Sequence, residues 1–191
     1  MMLRSFQKMN TKKGFTLIEI MVSLSVFIII MTVSLGSILS ILNSSEKSQT
    51  KKTAMDNLNF ALESMSRAIR FGTNFYCGTT ASAPPNPPEV NDCAAGGTSF
   101  SVRDSNGALI VYSLSGGKIM KSVNNGTANA VTSGEITITR LTFYVFGSSL
   151  WPADLIQPRV IMSLSGTVGT KTATRSTFNL ETTVSQRKLD I

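Results

Sequence analysis

The sequence predicts an α+β protein, in which one long N-terminal helix, over about residues 16–71, packs by its C-terminal half on an antiparallel β-sheet. Two observations carry this prediction. No proline interrupts residues 15–83, so a helix can continue far beyond the apolar N-terminal stretch. After Gly72 the chain changes to short runs rich in β-branched residues, separated by turn residues, which is typical of consecutive antiparallel strands.

The first part of the helix, residues 15–42, is apolar on every side. From Ile20 to Leu42 there is no charged side chain, and this stretch measures about 35 Å as a helix, enough to cross the hydrocarbon core of a bilayer. Basic residues precede it, Lys12 and Lys13 among them, which predicts a cytoplasmic N-terminus and an external main domain. A removable secretory signal cut near Ser40 stays open as an alternative.

The second part of the helix, residues 43–72, has one apolar stripe. Its apolar side chains recur at spacings of three and four residues, at Met55, Leu58, Leu62, Met65 and Ile69. This period predicts an amphipathic helix that lies on a sheet. Gly72 is predicted to end the helix, as glycine commonly does just past a C-terminus.

The remainder of the chain is predicted to form an antiparallel β domain over residues 98–191. Strands are expected at 98–103, 109–114, 118–123, 135–146, 159–168 and 173–184. The apolar phase switches between Ile138 and Leu141, which predicts a bulge or bend. Residues 73–97 have no clear periodicity and are predicted to be a connecting loop.

Two cysteines, Cys77 and Cys93, lie beyond the apolar helix. A pair close in sequence and outside the membrane predicts a disulfide formed in an oxidising compartment. It closes the 73–97 loop and contributes about 3 kcal/mol by chain-entropy reasoning. Two unpaired thiols remain the alternative. Two cysteines without any histidine argue against a zinc site, so we predict no metal site and no cofactor. Whether a calcium ion braces a loop stays open, because no recognised calcium-loop pattern contains Asp92, Asp104 or Asp154.

Charge and composition argue against two classes of function. The net charge is +7, but four of the 18 basic residues lie in residues 1–14, so 14 remain against 11 acidic ones. This balance is too weak to predict a nucleic acid as partner. No histidine is present as a general base, and no phosphate-binding loop or paired carboxylate set is recognisable, so we predict that the chain is not an enzyme.

Glu19 is the one acidic residue at the edge of the apolar helix, and a carboxylate there is costly without a partner. A cut between Gly14 and Phe15 creates an ammonium group at Phe15. Glu19 of one subunit can then pair with the Phe15 amine of its neighbour and set the register of a helical bundle. The alternative is a carboxylate that reaches the membrane interface.

The segment Lys12-Lys13-Gly14-Phe15-Thr16-Leu17-Ile18-Glu19 resembles the prepilin signature of type IV pilins and type II secretion pseudopilins. The resemblance implies a pilin-like fold and a leader peptide, residues 1–14, which a prepilin peptidase removes after Gly14. It also implies N-methylation of Phe15 and a docking role for Glu19. The expected partners are other pilin or pseudopilin subunits, the cytoplasmic membrane and an assembly platform, and the expected product is an extracytoplasmic filament.

Four further segments are similar to minor pilins of the pseudopilin J class. They lie at 65–70, 140–143, 157–160 and 180–187. This resemblance implies a minor subunit of the filament. Two alternatives stay open: a surface-displayed binding tip for adhesion or DNA uptake, with the 73–97 loop as its exposed element, and a plain signal-anchored extracytoplasmic domain. The choice among pilus, type II secretion and competence machines also stays open.

Overall fold

The computed structural model describes residues 14–79, 90–149, 153, 155–169 and 175–187. The chain divides into two compact units, residues 1–45 and 46–191. The predicted leader, including Lys12 and Lys13, lies outside the described residues except for Gly14. Within the described part the order is one helix followed by eight strands, which confirms the predicted α+β class.

Helix α1 runs from Leu17 to Phe71, so the predicted range of 16–71 is confirmed. At its C-terminal end the carbonyl of Arg70 accepts a hydrogen bond from the Arg187 N–H at 2.8 Å. The carbonyl of Gly72 accepts one from the Gln186 side-chain amide at 3.0 Å. These bonds satisfy carbonyls that a helix end leaves without an intrahelical partner.

Gly72 ends the helix as predicted, but the reason differs from the prediction. Its backbone does not take the left-handed conformation usual for a glycine cap. A Cβ at this position would lie 2.5 Å from the carbonyl oxygen of Ala68 and 2.7 Å from that of Arg103. Glycine is therefore required by close backbone packing between the helix end and the neighbouring strand.

The buried stripe of α1 within the second unit combines two alanines with three larger apolar side chains. The fully buried apolar residues are Ala54, Leu58, Ala61, Met65 and Ile69. Met55, Leu62 and Ala68 are only partly buried at the sides of this stripe. The predicted face is thus correct, but Ala54 and Ala61 belong to its buried row, whereas Met55 and Leu62 lie at its sides.

The strands form two antiparallel sheets, whereas one sheet was predicted. The first follows the order β1-β2-β3-β4-β5, with bounds Thr73–Gly78, Ser99–Arg103, Leu109–Ser115, Lys118–Val123 and Asn129–Ala130. The second follows the order β6-β7-β8, with bounds Ile136–Phe146, Arg159–Val168 and Ser176–Ser185.

The first strand corrects the prediction for residues 73–97. We expected a connection without strands, but β1 occupies its first six residues and pairs with β2. The pairing shifts register between Thr73 and Tyr76, and Asn74 has a φ of 55°. This irregular start leaves no clean alternation for a sequence pattern to detect.

The predicted bulge in the long sixth strand is confirmed. The β6–β7 register shifts between Ile138 and Arg140, where Thr139 is the extra residue. The shift keeps Ile138 and Leu141 both buried although three positions separate them. In a regular strand a spacing of three would place the two side chains on opposite faces and expose one of them, so the bulge follows from burial.

Three aromatic side chains join the two sheets in one core. Phe75 and Phe100 lie with ring centroids 5.8 Å apart, and Phe100 stacks on Phe143 at 5.4 Å. The first two belong to the five-stranded sheet and Phe143 to the three-stranded one. All three are essentially fully buried, so the second unit has a single hydrophobic core.

Candidate functional site

The residues predicted to carry processing and docking lie at the start of α1. Gly14 and Phe15 precede the helix and are exposed, with 79% of the Phe15 surface accessible. A Cβ added to Gly14 would meet nothing within 4 Å. The fold of the described residues therefore has no requirement for glycine at position 14.

Thr16 caps the helix. Its hydroxyl and its carbonyl both accept a hydrogen bond from the Glu19 N–H, at 3.3 Å and 3.1 Å. Thr16-Leu17-Ile18-Glu19 has the spacing of a capping box, in which threonine at the cap and glutamate three residues later satisfy the free amides of the first turn. This signal is readable in the sequence, where glutamate follows threonine by three residues just before the apolar run.

The structure places Glu19 in the first turn of α1 with an exposed side chain. A carboxylate at a helix N-terminus interacts favourably with the positive end of the helix dipole. Phe15 lies one turn before it, so the two groups of the predicted pair occupy the same end of the helix. Pairing between neighbouring copies is not a property of one chain and stays a prediction.

The described part of the first unit exposes its apolar surface on all sides. Among the described residues, α1 is the one helix long and apolar enough to cross a membrane, and no part of its apolar window is buried. Every large apolar side chain from Leu17 to Leu42 is exposed. An apolar helix with no polar face is suited to lipid or to a bundle of similar helices.

Four hydroxyl groups in this apolar segment are satisfied within the helix. Ser23, Ser25, Thr32 and Ser37 each donate to the carbonyl four residues earlier, at 2.8 to 3.0 Å. In a bilayer an unpaired hydroxyl is costly, because no water is present to bond it. The segment is therefore compatible with a single membrane anchor.

Cys77 and Cys93 form the predicted disulfide, with their Cα atoms 5.8 Å apart. Cys77 lies in β1, and the Cys93 N–H donates to the Val145 carbonyl of β6 at 3.1 Å. Beside them, Asn91 bonds back to β1 through the Phe75 carbonyl at 3.0 Å. The disulfide thus holds a short connecting segment between the two sheets. The proline-rich residues 80–89 of the predicted loop lie outside the described residues.

Two of the aspartates considered for calcium, Asp92 and Asp104, accept backbone hydrogen bonds, and Asp154 lies outside the described residues. The two Asp92 carboxylate oxygens accept hydrogen bonds from the Gly147 and Ser148 N–H groups, at 3.0 and 2.9 Å. The Oδ1 atom of Asp104 accepts from Asn106 and Ala108 at 2.9 and 2.8 Å. Among the residues that the structure describes, no group of three or more histidine, cysteine, aspartate or glutamate side chains is placed to hold a metal ion.

A cavity of about 290 Å³ lies beside the last turns of α1. Arg67 and Lys121 line it with Asp104, over the apolar side chains of Phe71 and Ile110. The sequence pattern did not reveal this cavity. Two cationic side chains against one carboxylate leave the lining of the cavity with a net positive charge.

The comparisons with known proteins point to the N-terminal segment. The family model described as the prokaryotic N-terminal methylation motif matches residues 9–35, which include Gly14, Phe15 and Glu19. No curated protein and no solved structure matches the chain significantly. The chain thus carries the motif of pilin-like proteins that a prepilin peptidase processes, and the described α+β layout agrees with a pilin fold.

Proposed function

We propose that this chain is the precursor of a structural subunit of an extracytoplasmic filament, either a type IV pilus-like filament or a type II secretion pseudopilus. One observation carries the proposal: the methylation motif at residues 9–35 coincides with the start of a helix whose apolar half is exposed throughout. Such an apolar surface requires an apolar environment, which the membrane provides before assembly and neighbouring helices provide in the filament.

We place the processing site between Gly14 and Phe15, with Phe15 N-methylated after cleavage. The surroundings of Gly14 support this, because nothing in the described fold excludes a larger side chain there. In this proposal glycine at position 14 is needed for recognition by the peptidase, because a residue without a side chain lets the backbone come close to the active site. Lys12 and Lys13 hold the leader on the cytoplasmic side, where such a peptidase acts.

Glu19 is the docking residue in this proposal. After cleavage the Phe15 ammonium of one subunit pairs with the Glu19 carboxylate of its neighbour in the bundle. Removing both charges from water offsets much of their attraction, so the pair contributes little net stability. The pair instead fixes the register between neighbouring helices. Apolar helices can slide along one another, and one polar pair determines how far one helix is displaced along its neighbour.

The four segments similar to the pseudopilin J class lead us to propose a minor subunit. The partners are then other pilin or pseudopilin subunits and the assembly platform in the cytoplasmic membrane. The chain begins as a single-pass membrane protein with its C-terminal domain outside and ends in the filament. The role in this proposal is structural and requires no catalytic group.

Fractionation of cells that produce the tagged chain tests the proposal. The expected result is mature chain in the membrane and a smaller amount in sheared filaments, substoichiometric to the main subunit. Mature chain that stays in the membrane under conditions of filament assembly would identify a plain anchored domain instead. A chain that enters filaments but whose deletion abolishes only adhesion or DNA uptake would identify a binding tip.

A further inference from the structure

The outer edge of β8 presents unbonded backbone groups. The Gln186 N–H donates to the Pro158 carbonyl at 2.9 Å, which continues the β7–β8 register in which Arg159 faces Ser185. Hydrogen-bonded residues alternate along an antiparallel strand. The even-numbered residues of β8 therefore bond to β7, and the odd-numbered ones direct their N–H and C=O groups outward.

Five residues form this outward row: Thr177, Asn179, Glu181, Thr183 and Ser185. None of their outward backbone groups has a hydrogen-bond partner among the residues that the structure describes. All five side chains are exposed. The β7–β8 pairing has no register shift, and the strand has no proline and one charged residue, so the usual devices that protect a sheet edge are nearly absent.

The other sheet edges are closed or short. Outside β1, Asn91 accepts from the Cys77 N–H at 3.1 Å and donates to the Phe75 carbonyl. Outside β6, Gly97 and Phe143 exchange two hydrogen bonds of 2.8 Å. The remaining edge is formed by β5, which has two residues. The ten-residue edge of β8 is thus the exception in the described fold.

Pairing of β8 with β8 of a second copy is disfavoured by charge. The antiparallel register that matches all five outward residues pairs Thr177 with Ser185, Asn179 with Thr183, and Glu181 with Glu181 of the second copy. Like charges directly opposite each other destabilise a strand pair. A partner strand that places a cation opposite Glu181 is favoured instead.

We propose that the outer edge of β8 accepts an extended segment of a different protein chain, which adds a fourth strand to the β6-β7-β8 sheet and places a lysine or arginine opposite Glu181. Backbone hydrogen bonds to the five outward residues provide affinity in this mode of recognition, and the cation provides selectivity. The inference goes beyond the subunit role proposed above, and it holds whether or not the leader is cleaved.

A fused donor strand tests the proposal in the full chain in detergent micelles. The donor alternates threonine and valine around a central lysine and follows Ile191 through a glycine–serine linker, which raises its local concentration to about millimolar. Amide hydrogen exchange is measured at the outward residues Glu181 and Thr183 and at the inward residue Thr182. The expected result is an exchange slowed about tenfold or more at the outward amides only.

Two control donors test the backbone pairing and the charge pairing separately. A donor with proline at alternate positions should leave the outward amides fast, because it lacks the N–H groups for the new ladder. A donor with central glutamate should slow them about two- to fivefold less than the lysine donor, and Glu181→Lys should reverse this order. The inward Thr182 amide reports whether each variant is folded.

Three results would overturn the proposal. The first is outward amides in the unfused chain that exchange as slowly as Thr182, which would mean that the edge is already covered. The second is a lysine donor that leaves them fast. The third is a protection that grows with protein concentration in the unfused chain, which would identify a second copy as the partner.

Discussion

The Glu19 N–H donates to the Thr16 hydroxyl at 3.3 Å, and this bond caps the first turn of α1. The bond uses the backbone N–H of Glu19 and does not depend on its carboxylate, whereas the docking role that we propose does. The two roles differ in what they require. Glutamine at the third helical position serves a capping box as well as glutamate does, but it cannot pair with an ammonium group.

Glu19→Gln separates the two roles. We expect a chain that is inserted, processed and helical from Leu17, but that enters filaments on the order of tenfold less or worse, because a charge left unpaired in an apolar bundle costs a few kcal/mol. Glu19→Ala should behave alike. The measurement is the ratio of filament to membrane signal after shearing.

Glu63→Gln is the matched control for Glu19→Gln, because Glu63 is an exposed acid of the same helix. It should leave the ratio unchanged. Full incorporation of the Glu19→Gln variant would remove the docking role of Glu19.

The disulfide between Cys77 and Cys93 should stabilise the second unit by about 3 kcal/mol, since it closes a loop of sequence separation 16. Replacing both cysteines with serine should lower the unfolding free energy by that amount in denaturant titration. A thiol reagent should label the exported protein only after reduction. Labelling without a reductant would show that the thiols are not paired in the cell.

Gly72→Ala should destabilise the second unit by about 1–3 kcal/mol, because the added Cβ meets two backbone carbonyls that cannot move aside. Gly134→Ala is the matched control, since a Cβ there meets nothing within 4 Å. Denaturant unfolding should separate the two variants clearly. Equal stability of both would contradict the close packing at the helix end.

Tyr112 should make stability depend on pH in the alkaline range. Its side chain is fully buried, and no hydrogen bond to its hydroxyl forms within the described residues. Burial raises the pKa of Tyr112 to about 12 from 10.0, and the Ser64 side chain offsets part of the rise. The native state therefore keeps its proton at a pH where the unfolded chain loses it.

The stabilisation from neutral Tyr112 is complete below pH 10 and is lost as the pH rises toward 12, for a total of about 3 kcal/mol. Tyr112→Phe should remove this slope and leave stability at pH 7 equal or higher, because the lost hydroxyl has no partner. Unfolding of both proteins between pH 9 and pH 12 is compared. Identical slopes would contradict the burial argument.

The sequence predicted those parts of the fold that a local pattern specifies. The helix from Leu17 to Phe71 follows from apolar periodicity and the absence of proline, and the bulge near Thr139 follows from one phase switch. The pairing of the two cysteines follows from composition and compartment. Each of these signals lies within a short stretch of chain.

The parts that the sequence missed depend on contacts between distant segments. The split into two sheets depends on contacts that cover two strand edges: Asn91 bonds to the edge of β1, and Gly97 bonds to the edge of β6. No local sequence pattern indicates these contacts. The strand β1 was missed because its register is irregular at Thr73. The open edge of β8 follows from strand order alone, which alternation within one strand cannot indicate.

The most direct test of the central claim is the intact mass and N-terminal residue of the chain produced with and without a prepilin peptidase. We predict that the peptidase yields a chain that starts at methylated Phe15, and that Gly14→Ala retains residues 1–14 under the same conditions. A chain that keeps its first 14 residues in the presence of an active peptidase, or that is cut near Ser40, would contradict the claim.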